Sequence, residues 1–60
     1  MADDRATRQR ILDAAAGRFA VHGYAGTSVA HIAADLGISK AALYHHFRSK
    51  AEILAEIVGT

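Results

Sequence analysis

Between Asp35 and Glu52 the chain has no acidic residue, and within that interval fall Lys40, Arg48 and Lys50 together with His45 and His46. Ammonium, guanidinium and imidazole donors at this density suit phosphate oxygens. On charge alone, an ordinary solvated face is the simpler account. The spacing adds information that charge lacks. Leu43 and Phe47 stand at i and i+4 and mark an inward stripe, so Lys40, Ala41, Ala42, Tyr44, His45 and His46 on the same helix point outward. Lys40 can donate to guanine O6 and N7 or pair with a phosphate, and the methyls of Ala41 and Ala42 can touch thymine methyl groups. His45 suits a groove and His46 a phosphate; the alternative is two exposed polar side chains.

Two other chemistries compete for these residues. Adjacent residues on a helix point about 100° apart, so His45 and His46 cannot grip one ion in regular helix geometry. His22 and His31 fall on different expected helices, and no cysteine or carboxylate pattern completes a metal site around them. No metal and no other cofactor is expected. A Ser-His-Asp set can be drawn from any chain of this size, but nothing supplies a pocket or oxyanion donors for it, so no enzyme is expected either.

The outward set needs a rigid support, and the preceding residues supply one. Ile32, Ala33 and Leu36 make one apolar stripe on a short helix. Gly37 ends that helix where a left-handed residue is required. Ser39 caps the next helix through its hydroxyl. Two helices joined by a three- or four-residue turn cross at about 90–120° and approach closely, and Ala33 is small enough for the crossing. The pattern over about 28–47 is that of a DNA-binding helix-turn-helix, and with it nucleic acid becomes the better account of the basic interval.

The wider stretch resembles a known family. Thr27-Ser28-Val29, then Ile32-Ala33, Gly37-Ile38-Ser39-Lys40 and, most specifically, Leu43-Tyr44-His45-His46-Phe47 followed by Lys50 resemble the DNA-binding domain of the tetracycline-repressor (TetR) family. The resemblance runs from about Arg8 to Leu54. It implies an all-α fold, a three-helix helix-turn-helix (homeodomain-like) domain with the start of a fourth helix. It implies that the Tyr44 hydroxyl binds a phosphate, that Lys50 clamps the backbone, and that Thr27 and Ser28 add phosphate contact to capping. A core aromatic is the alternative for Tyr44, and both can hold. Many members carry glycine at the position of Ala41, and larger apolar residues where Ala16 and Arg18 stand here. For the whole protein it implies a regulator of transcription, most simply a repressor released by a small-molecule inducer. It would bind a palindromic operator in double-stranded DNA as a homodimer, with the inducer pocket and dimer interface in a C-terminal domain outside these residues.

In chain order, residues 1–6 read as a flexible arm, with Arg5 able to reach a DNA backbone, and the first helix as running from Thr7 to about His22. Ile11, Leu12, Ala15 and Phe19 form its apolar stripe. Gly17 costs this helix roughly 1 kcal/mol relative to alanine. Gly23 is expected as its left-handed cap, with Tyr24 folding back over the core. Ala25 and Gly26 make the connection and Thr27 is the expected N-cap of the second helix, whose free amides form a phosphate site. Ser49-Lys50-Ala51-Glu52 reads as a capping box opening the fourth helix, over 49–60. Ile53, Leu54, Ile57 and Val58 then give an apolar face wider than a three-helix core requires, which suggests a fragment of a longer protein. The same face defines the rival reading, a helical module that docks onto proteins.

Composition sets the outer limits. Sixty residues with a net charge of +1, no cysteine, no proline and 52% apolar content allow one small helical domain with no disulfide to staple it. No apolar run approaches the ~20 residues of a membrane span. The first residues lack a signal-peptide pattern, so the cytoplasm is the expected compartment and no membrane the expected partner.

Overall fold

The computed structural model describes residues 4–59 and, over them, four helices and no strand: α1 Asp4–His22, α2 Val29–Leu36, α3 Lys40–His46 and α4 Lys50–Ile57. Helix α1 begins three residues before the expected Thr7. Asp4 lies in its first turn, where a carboxylate complements the unpaired amides and the positive end of the helix. Arg5 and Ala6 are therefore helical rather than part of an arm, and the rest of the expected arm, residues 1–3, lies outside the described residues.

One core joins the helices. Ile11, Leu12 and Ala15 of α1, Ile32 and Ala33 of α2, Leu43 of α3, Phe47 at the end of α3 and Ile53 of α4 are all buried, with Phe19, Val29, Leu36, Ile38 and Ile57 packed around them. The apolar stripes expected on α1, α2 and α3 all turn inward. The fourth helix differs from expectation. Ile53 is fully buried, Leu54 and Ile57 are half-buried, and of the four residues only Val58 is exposed. The face offered to a protein partner is thus largely taken up by the domain's own core.

The α1–α2 connection corrects the expected cap. Gly23 takes φ +79° and donates its N–H to Phe19 O at 2.9 Å. The chain then turns so tightly that a Cβ on Gly26 would lie 2.4 Å from His22 O. After this turn Ser28, not Thr27, is the N-cap, with φ −117° and ψ 161°. Thr27 is 2% exposed, and its hydroxyl donates to Gly23 O at 3.0 Å. It locks the turn from inside.

Ser28 and His31 form a reciprocal capping box. Ser28 Oγ accepts from His31 N at 3.1 Å, and His31 Nδ1 accepts from Ser28 N at 3.2 Å. An imidazole nitrogen fills the place usually held by the side chain of glutamate or glutamine. Gly37, at φ +68°, closes α2, and Ile38 N donates to Ala33 O at 3.1 Å, a Schellman-type ending. Ser39 caps α3 by accepting from Ala42 N at 3.0 Å, and Ser49 caps α4 by accepting from Glu52 N at 3.2 Å. Ser49 thus makes the first half of the box expected there, and the full box occurs at α2 instead.

Ion pairs tie the helices together. Arg18 of α1 grips Asp35 of α2 with both Nε (2.7 Å) and an Nη (2.8 Å). Where the resembling family favours a larger apolar residue, this chain places an arginine whose head is satisfied across the α1–α2 crossing. Arg8 of α1 pairs with Glu56 of α4 and lies 5.2 Å above the Phe47 ring.

Candidate nucleic-acid interface

The start of α2, the outer face of α3 and the first turn of α4 meet at a cleft of about 430 Å³. Ser28 and His31 line it from α2, Lys40 and Tyr44 from α3, and Lys50 from α4, together with residues 25–27 of the α1–α2 connection. Four of the residues expected to take phosphate, drawn from three helices, therefore face one space: Ser28, Lys40, Tyr44 and Lys50. Tyr44 is 45% exposed, so it is a surface residue of the cleft rather than a core aromatic.

The cleft is electropositive for identifiable reasons. Lys40 and Lys50 contribute full charges, the first amides of α2 contribute the partial charge of a helix start, and among the described residues no acidic side chain lines the space. The nearby acid, Asp35, is turned away to Arg18. The hydrogen bond from that guanidinium holds the Asp35 carboxyl below its ordinary range, and Asp35 raises Arg18 in return. The carboxylate is therefore ionised and paired outside the cleft.

Lys50 is held in place. Its Nζ donates to Tyr24 O at 2.7 Å and sits 4.2 Å over the Tyr24 ring. Tyr24 in turn lies against Phe19, ring centroids 5.4 Å apart. A lysine in the first turn of a helix opposes the helix dipole. Here the carbonyl and the π face of Tyr24 offset that cost.

Along α3 the expected outward set is sorted as follows. Lys40, Ala41, Ala42, Tyr44 and His45 are exposed, His46 is half-buried, and Leu43 and Phe47 point into the core. The His45 and His46 rings meet edge to face at 5.3 Å. Ser39 is exposed, with its hydroxyl used on the cap of α3. Thr27 lines the cleft, but it is buried and its hydroxyl donates to Gly23 O, so its side chain offers no donor to a phosphate, which corrects the expectation of side-chain contact there. Sequence reasoning missed Tyr24 and His31 as parts of the site. His31 had a signal: it stands three residues after Ser28, the place of the return acceptor in a capping box. Tyr24 had none, since its tie to Lys50 spans 26 residues.

Two short helices joined by a glycine-ended turn, the second with an outward face free of acids, define a helix-turn-helix domain. The chain belongs to the bacterial regulatory proteins of the tetR family, whose family model matches residues 11–57. It is 41% identical to the HTH-type transcriptional regulator AcrR of Shigella flexneri over 51 residues, 85% of this chain and 24% of that protein. It is 38% identical to the HTH-type transcriptional repressor SCO4008 of Streptomyces coelicolor over 56 residues, 93% of this chain and 29% of the relative. The crystal structure of a TetR/AcrR-family transcriptional regulator from Thermobifida fusca superposes with a TM-score of 0.84 at 39% identity, covering 93% of this chain and 30% of that one. The chain thus spans under a third of the length of these relatives. These relatives are regulators of transcription. Among the described residues no helix is long and apolar enough to cross a membrane.

Proposed function

We propose that this chain is the DNA-reading head of a cytoplasmic transcriptional regulator, a repressor that a small-molecule inducer releases. The observation that carries the reading is the convergence of Ser28, Lys40, Tyr44 and Lys50 on one cleft beside the exposed face of α3, lined by no acid among the described residues. In this reading α3 enters the major groove with Lys40, Ala41, Ala42 and His45 toward base edges. The α2 amides, Ser28, Tyr44, Lys50 and His46 meet the backbone and set the register. Such phosphate contacts position the protein and carry no sequence information.

The relatives' greater length supports the rest of the proposal. A palindromic operator needs two heads about 34–36 Å apart on one face of the duplex, so the working unit is a homodimer joined outside these residues, where the inducer also binds. Duplex binding as a function of salt tests the proposal. The affinity of the chain for double-stranded DNA should fall steeply with salt, and Lys50→Ala should lower the slope by about one while weakening operator and random duplexes alike. Salt-insensitive binding, or none, would leave the protein-docking module as the better reading, although its Ile53/Leu54/Ile57/Val58 face is mostly buried.

A further inference from the structure

We infer that Tyr24 is the positioning residue for the Lys50 ammonium, and that the cleft presents a preset phosphate clamp rather than a freely moving lysine. The inference rests on the reading of the cleft as a phosphate site, and it adds a residue outside the helix-turn-helix to that site. A lysine side chain has four rotatable bonds and ordinarily loses much freedom when it forms a contact. The Lys50 stem instead crosses from the first turn of α4 to the α1–α2 connection, 26 residues earlier in sequence. There its Nζ meets two features of one residue, the Tyr24 carbonyl at 2.7 Å and the Tyr24 ring at 4.2 Å.

The geometry leaves the ammonium available. An ammonium has three N–H donors. One is used on Tyr24 O, the ring attracts the charge without accepting it fully, and the group still lines the cleft beside Ser28, Lys40 and Tyr44. Tyr24 is itself anchored, because its ring lies 5.4 Å from that of Phe19, which packs on the core. Phe19, Tyr24 and Lys50 form a stack that carries rigidity from α1 to a cation at the cleft. Much of the ordering that a phosphate contact demands of Lys50 is thus present before any phosphate arrives.

A double-mutant cycle on this chain, with binding to a random-sequence duplex read by fluorescence anisotropy at low salt, tests the inference. Tyr24→Leu keeps an apolar side chain against Phe19 and removes the π face. It should weaken binding about three- to fivefold in the parent, the range expected for an exposed cation–π contact, and should change nothing measurable when Lys50→Ala is already present. Tyr24→Phe keeps the face and should bind as the parent does. Thermal unfolding of each variant separates loss of fold from loss of the clamp. An equal loss from Tyr24→Leu with and without Lys50, or a Tyr24→Phe variant as weak as Tyr24→Leu, would overturn the inference while leaving duplex binding itself established. If the parent chain shows no salt-dependent duplex binding at all, the phosphate reading falls and this inference falls with it.

Discussion

Two glycines of this chain carry opposite instructions, and only their surroundings tell them apart. Gly17 lies inside α1, and a Cβ built on it meets nothing within 4 Å. Neither packing nor backbone conformation requires glycine there. Gly17→Ala should stabilise the domain by about 0.5–1 kcal/mol, which for a domain of this size raises Tm by about 3–6 °C. Gly26 is the reverse case. Its Cβ would stand 2.4 Å from the His22 carbonyl oxygen, a backbone atom that cannot swing aside. Gly26→Ala should cost about 1–3 kcal/mol, as forced overpacking does. Thermal unfolding of the two variants checks both signs; a loss from Gly17→Ala would mean that α1 is strained there. The sequence alone places Gly17 inside a helix and Gly26 in the connection after it, but not the clash at Gly26, because the atom a Cβ would meet belongs to a turn whose path depends on the fold.

At the scale of elements, what could be read in advance was local chemistry. Gly37 after an apolar stripe, Ser39 before the next, and Leu43 with Phe47 one turn apart each declare a cap or a face within four residues. Their places in the structure match. Thr27 and Ser28 show the limit. Either residue type can cap, and the choice fell to Ser28 because the tight turn at Gly26 carries Thr27 inward to Gly23 O. Arg18 and Asp35 were equally hidden, since a pairing between helices depends on how they cross. That pair has a pH signature. Asp35 is held below its ordinary carboxyl range in the folded state, chiefly by the Arg18 hydrogen bond. A carboxyl lowered in this way stabilises the fold above its unfolded value, and the contribution is lost as pH falls through the folded value. Asp35→Asn should therefore be less stable than the parent near pH 7, with the difference narrowing as the solution is acidified toward unfolding. Urea denaturation at a series of pH values measures it. A gap of constant size would assign the effect to packing rather than charge.

For the whole molecule, the same ties explain how so short a chain holds a defined surface. The helix-turn-helix is formed by neighbours, α2 against α3 across a three-residue link, while α1 packs on α2 and α4 packs on α1. The cleft belongs to this arrangement rather than to any one helix: α2 contributes amides, α3 a lysine and a tyrosine, α4 a lysine held by the α1–α2 connection. The site residues were legible singly, from type and spacing. Their convergence was not, because it is set by the crossing of three helices and by Ile53 drawing α4 into the core.

The clasp between the two ends of the domain has a consequence in time. Arg8 and Glu56 meet across 48 residues, and Ile53 brings α4 onto a core whose other members precede it in sequence. Contacts between distant residues bear the largest loop-closure entropy and form after the local ones. Docking of α4 should thus follow the rate-limiting barrier, while the α2–α3 pair is already assembled at it. With no proline in the chain, no slow isomerisation obscures the order of events. Ile53→Val, expected to cost about 1 kcal/mol, should raise the unfolding rate about fivefold and leave the refolding rate unchanged. The two limbs of a denaturant chevron read this directly. A slowed refolding limb would place α4 in the folding nucleus. Otherwise the domain is one that assembles α2 and α3 early and releases α4 first.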